Sequence, residues 1–168
     1  MGTWSSEAPT LPSGSEWEQE KPSSYTANYW SMKTTRSIAR LAGNTIAVKV
    51  VSVVGNGSYG SYSSPGYYYL RCKIDDATDT DTSIKITKGT TTLYYMGEAA
   101  AGTAIAVAVG CNGVSKSVST LNFTAPALLG NTVFVNIGGA WKQGTMFVNV
   151  SGVWKQCFPK VNIGGVWK

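Results

Sequence analysis

The chain has 168 residues, 43% hydrophobic and 11% aromatic, enough apolar surface for one packed domain with a small appendage. Charged residues are only 14%, against roughly 25% in an average soluble domain, and Gly, Ser and Thr make up about a third of the chain. Histidine is absent, which excludes Ser-His-Asp and Cys-His catalysis, histidine zinc sites and the usual general base near neutral pH.

The expectation is a non-enzyme with no catalytic residue, metal or cofactor. The formal charge is +5, but the basic residues are scattered singly. Four of the acidic ones (Glu7, Glu16, Glu18, Glu20) crowd the N-terminal segment. A nucleic-acid partner is therefore not expected.

Residues 1–28 read as an arm. Pro9, Pro12 and Pro22 interrupt it, and no strand or helix period persists. Trp4 and Trp17, with Trp30 just after the arm, are unusual in such a segment, because their large apolar area favours burial. The arm is expected to lie ordered against its own domain or a neighbouring subunit. It has neither a basic nor an apolar leader region, so no signal peptide is expected. No apolar stretch approaches the ~20 residues of a membrane span.

Residues 29–127 carry strand signals. Residues 45–54 are rich in β-branched side chains, 67–74 form a second run, and 82–87 alternate cleanly before Lys88-Gly89-Thr90 turns into 91–96, a candidate hairpin. Residues 103–109 and 117–124 close the series, while 96–103 suits a loop or single helical turn. Short strands at even spacing describe a β-sandwich of Ig-like type better than a parallel sheet. Cys72 and Cys111 could pair across such a sandwich as immunoglobulin cysteines do. The preferred reading keeps all three cysteines, with Cys157, as reduced small hydrophobes.

Two features of this region invite a chemical reading. The cluster Asp75, Asp76, Asp79 and Asp81 lacks the glycine and glutamate of a calcium loop and reads as a solvated connection between strands. The Gly55–Gly66 loop, leading into Tyr67-Tyr68-Tyr69, has the Tyr/Ser/Gly composition of antibody contact loops. Tyr59, Tyr62 and Tyr67 are its candidate recognition residues.

Residues 128–168 hold an internal repeat. FVNIGGAWKQG at 134–144, FVNVSGVWKQC at 147–157 and KVNIGGVWK at 160–168 keep asparagine, tryptophan and lysine at a fixed step of thirteen. A Gly-Gly or Ser-Gly pair between β-branched runs is a two-residue hairpin signature. In the middle copy it pairs Val150 with Val153, Asn149 with Trp154, Val148 with Lys155 and Phe147 with Gln156. Both faces of such a hairpin are substantially apolar, so three of them form an assembly module. The expected interface residues are Trp4, Trp17, Phe134, Asn136, Trp141, Phe147, Asn149, Trp154, Asn162 and Trp167, and a homotrimer is the first guess.

The three V-N-[IV]-[GS]-G-[AV]-W-K copies resemble short Gly-Trp-Lys repeats at the C-termini of tailed-bacteriophage tail, fibre and head-decoration proteins. The preceding Ser/Thr-rich region more distantly resembles Ig-like domains that decorate phage heads and tails. The resemblance implies a virion structural protein, made in the host cytoplasm and partnered by itself and by other virion proteins. The alternative is an adhesion module that binds a host receptor or carbohydrate through the Gly55–Tyr69 region. A third reading is a bacterial surface protein exported without a cleaved signal.

Overall fold

A computed structural model describes residues 2–12, 15–113, 117–127, 132–137, 139–145, 147–156, 162–163 and 166–167. The regular elements among them are all strands, and every pairing is antiparallel. The chain divides into two compact units, Met1–Ala127 and Leu128–Lys168.

The first unit contains β1 (Thr3–Ser5), β2 (Glu18–Thr26), β3 (Ser31–Arg40), β4 (Thr45–Gly55), β5 (Tyr68–Ile74), β6 (Ala77–Asp81), β7 (Gly89–Glu98), β8 (Ala104–Cys111) and β9 (Ser117–Thr124). They form a five-stranded sheet in the order β1-β7-β4-β3-β2 and a four-stranded sheet in the order β6-β5-β8-β9. Alternation along each strand sends one set of side chains into a shared core. Ile46, Val48, Val50 and Val54 of β4 join Leu93 of β7 with Leu70 and Ile74 of β5 and Ile105, Val107 and Val109 of β8. Fully burying each such side chain contributes about 1.5–3 kcal/mol.

The segment expected to be an arm supplies two edge strands of its own unit's sheet. β1 pairs with β7, matching Trp4 to Tyr95, and β2 pairs with β3. The connection between them is tied to the same sheet. Trp17 lies 6.0 Å from the Tyr94 ring and 4.9 Å from the Lys49 ammonium, and the Ser15 hydroxyl donates to the Arg40 carbonyl. Beneath this cover Ser37, Ala39 and Ala47 are buried although they alternate away from the core.

Two sequence expectations change, and one alternative falls away. Residues 82–87 do not form a hairpin with 91–96. β7 pairs with β4 and β1 instead, and 82–87 runs as a connection in which Ile86 is buried and hydrogen-bonded to the Gly66 carbonyl. The aspartate cluster is not one solvated loop, because Ala77–Asp81 is strand β6 and Asp79 points inward. Cys72 and Cys111 do not pair across the sandwich. Both are buried in the same sheet, where Cys72 opposes Val107 and Cys111 opposes Tyr68. Four residues of strand separate them by roughly 13 Å, beyond the ~7 Å limit for a disulfide. Cys157 lies outside the described residues.

The second unit contains β10 (Thr132–Ile137), β11 (Ala140–Thr145), β12 (Phe147–Val150), β13 (Val153–Gln156), β14 (Asn162–Ile163) and β15 (Val166–Trp167), paired two by two. The same register recurs: Asn136 opposes Trp141, Asn149 opposes Trp154, and Asn162 opposes Trp167. Ser151 (φ 54°) and Gly152 (φ 84°) are both left-handed, the geometry of a type I′ turn. Asn149 Oδ1 accepts the Gly152 N–H at 2.8 Å, so the asparagine locks the turn that follows it.

Candidate functional site

The two sheets come together along β2 and β9, and side chains close the gap. The Gln19 amide imitates a strand. Its Oε1 accepts the Thr124 N–H at 3.0 Å and its Nε2 donates to the Thr124 carbonyl at 2.6 Å. Lys21 donates to the Asn122 carbonyl and stacks 4.9 Å over Phe123. These bonds use the unpaired edge groups of β9 that would otherwise template aggregation.

Arg36 of β3 is fully buried at this seam. Its Nη1 donates to the carbonyls of Val107 (3.0 Å) and Ser119 (2.9 Å). Its Nη2 donates to the hydroxyls of Ser23 (2.9 Å), Thr34 (3.1 Å) and Ser119 (3.3 Å). All five acceptors are neutral. Desolvation lowers the guanidinium pKa to about 10, so it remains charged at neutral pH. Arg40, two turns of the alternation further along β3, is buried in the same manner against the carbonyls of Ala99 and Pro126.

A cleft of about 60 Å³ opens above these hydroxyls, lined by Ser23, Tyr25, Trp30, Thr34, Val109 and Ser119 among others. Tyr25 stacks on Trp30 at 5.1 Å and forms its wall.

The Gly55–Gly66 loop lies at the same end of the unit. It is pinned by backbone bonds: Ser58 and Tyr59 donate to the carbonyls of Ala27 and Asn28, and Ser63 donates to Tyr29, each at 2.9 Å. The approach is so close that a Cβ on Gly57 would sit 2.4 Å from the Asn28 carbonyl. Tyr59 is 66% exposed and packs edge-on against exposed Tyr29 at 5.4 Å. Tyr67 is exposed as well, whereas Tyr62 is half-buried against the core with Lys88 above its ring. Of the three tyrosines singled out from sequence, two therefore face solvent. Tyr25 and Tyr29 were missed: Tyr25 falls in the segment read as an arm, and Tyr29 immediately follows it.

No family model, curated protein or solved structure matches this chain. Its chemistry has to be argued from its own side chains.

At the opposite edge Asp79 is buried, and one carboxylate oxygen accepts two bonds of 2.7 Å, from the Gly2 N–H and the Tyr95 hydroxyl. These two bonds hold the Asp79 carboxyl below the usual carboxylate range. Burial, followed by the neighbouring Asp79 charge, pushes the Cys72 thiol up to about 12. Asp75 and Asp76 are exposed, and Asp81 caps Ser83. The four carboxylates thus do not converge on one point, and the described residues contain no group of three metal-ligating side chains.

The interface residues named from sequence are distributed between the units. Trp4 packs on Tyr95 at 5.3 Å and Trp17 on Tyr94, within the first unit. In the second, Trp154 is 68% exposed, and Asn149 opposite it is exposed too. Val148, Val150 and Val153 of the same strand pair are also exposed. The side chains of Phe134, Asn136, Trp141, Phe147, Asn162 and Trp167 lie outside the described part.

Proposed function

We propose that this protein is a non-enzymatic structural component of a bacteriophage particle, assembling through its C-terminal hairpin repeats. The observation that carries the reading is the β12–β13 pair. Its tryptophan and three valines are exposed on a strand pair too small to cover them. A lone two-stranded hairpin is marginal in water, and exposed apolar area on this scale marks an association surface. The threefold register of Asn against Trp fits a surface repeated for assembly. The resemblance to phage Gly-Trp-Lys repeats supplies the biological setting.

The strand order supports an Ig-like reading of the first unit. β3, β4 and β7 take the places of strands A, B and E, while β5, β8 and β9 take those of C, F and G. Proteomics of density-purified phage particles should find the chain in multiple copies per virion. Particles produced with residues 128–168 deleted should lose it. Purified particles that lack the chain would overturn the proposal.

A second reading, adhesion, is favoured by one observation. Tyr25, Tyr29, Tyr59 and Tyr67 are all exposed at one end of the first unit, and the turn and loop that carry Tyr29 and Tyr59 are braced by backbone bonds. Rigid exposed tyrosines offer contact area at little entropic cost. A glycan array probed with the full chain and with Tyr29→Ala, Tyr59→Ala tests it. Binding that the double variant loses supports adhesion, and silence across the array removes it.

A further inference from the structure

We infer that the cleft between β2 and β9 is a binding site for the carboxylate of an acidic sugar, a proposal that rests on the adhesion reading of this end. The charge at this seam is unbalanced. Arg36 is fully buried, and its hydrogen bonds run only to carbonyls and hydroxyls, with Nε left unpartnered. A buried cation surrounded by neutral dipoles favours an anion close by, because the surrounding protein screens it weakly. Lys21, two residues before Ser23 on the same strand, adds a second positive charge at the seam.

The hydroxyls transmit that charge to the cleft. Ser23, Thr34 and Ser119 each accept from Arg36 Nη2, so their own protons must point elsewhere. Ser23 and Thr34 lie 2.8 Å apart and share one proton between them. One proton of that pair and the Ser119 proton remain to be donated outward. Two polarised O–H donors above a buried guanidinium match the two oxygens of a carboxylate. The cleft volume of about 60 Å³ corresponds to about two waters at liquid density. That accommodates a carboxylate but not a whole sugar ring.

The ring must then rest outside, and the rim suits it. Tyr25 lines the cleft and is 41% exposed, stacked on Trp30. Beyond it, Asn28, Tyr29, Asn56, Ser58 and Tyr59 are all exposed. Aromatic faces beside amide and hydroxyl groups are the surface that binds a pyranose: the rings cover its C–H face, and the polar groups pair with its hydroxyls. An acidic peptide side chain would use the same pocket but has no need of this rim.

The test is a titration of the isotopically labelled full chain with sodium D-glucuronate, D-glucose, sodium acetate and an aspartate-containing tripeptide, followed by backbone amide NMR shifts. Glucuronate should shift the amides of Ser23, Tyr25, Thr34, Gly110 and Ser119 saturably, with a millimolar Kd. Glucose, acetate and the tripeptide should each bind at least tenfold more weakly. Ser23→Ala with Ser119→Ala removes donors and leaves the arginine in place. It should weaken glucuronate at least fivefold in the folded variant, with the fold checked by the dispersion of the same amide spectrum. Arg36→Met should abolish binding wherever it folds. Equal binding of acetate or the tripeptide overturns the sugar assignment. Glucose binding as well as glucuronate overturns the carboxylate site and leaves adhesion standing; no binding of glucuronate overturns the acidic-sugar site, while the glycan array decides adhesion separately.

Discussion

Asp79 is the residue on which the N-terminal segment is fastened. Removing its carboxylate leaves the Tyr95 hydroxyl and the Gly2 N–H without acceptors, so Asp79→Ala should destabilise the first unit by about 2–3 kcal/mol in urea unfolding. Gly2 and Tyr95 hold the folded carboxyl below its ordinary pKa, which is about 4 in the unfolded chain. Its stabilisation is then fully present above about pH 4 and is lost as pH falls through the lower folded value. The stability gap between the wild type and Asp79→Asn should be widest near pH 7 and should close as pH falls below the ordinary carboxylate range. A gap that is flat with pH would show that the charge contributes nothing. The Cys72 thiol beside it, with its pKa near 12, should resist Ellman's reagent in a Cys157→Ser background until denaturant is added.

At the scale of the element, strands with apolar alternation were legible and strands with polar inward positions were not. β4 announces itself by Ile46, Val48 and Val50. β3 hides because Thr34, Arg36 and Arg40 occupy inward places that apolar residues normally mark. β6 hides for the same reason, its inward residue being Asp79. The cleft could not be foreseen, since Ser23, Thr34, Arg36 and Ser119 converge only when β2 and β9 meet. The β12–β13 register was legible because a Ser-Gly turn fixes it. That turn yields a direct check. Asn149→Ala loses the bond to the Gly152 N–H and should weaken the turn by about 0.5–1.5 kcal/mol. Ser151→Asn suits its left-handed φ better and should strengthen it. Amide exchange at Gly152 should be faster in the first variant and slower in the second.

At the scale of the whole molecule, the chain divides into two compact units. The first is a closed sandwich whose edges carry its own N-terminal segment. The second repeats a strand pair whose β12–β13 copy exposes Trp154 and three valines, and the proposal is that a symmetric ring of copies covers them without leaving open edges. Burying one exposed tryptophan in each subunit contributes on the order of a few kcal/mol per site. Assembly is therefore expected to depend on the repeats and not on the sandwich. The most direct measurement is the solution mass, by analytical ultracentrifugation, of the full chain, a 1–130 truncation and full-length Trp154→Ala. The full chain should sediment as a discrete oligomer, a trimer at first guess, the truncation as a folded monomer, and Trp154→Ala with markedly weakened association. A full chain that stays monomeric at high concentration, with stability untouched by Trp154→Ala, would contradict the account.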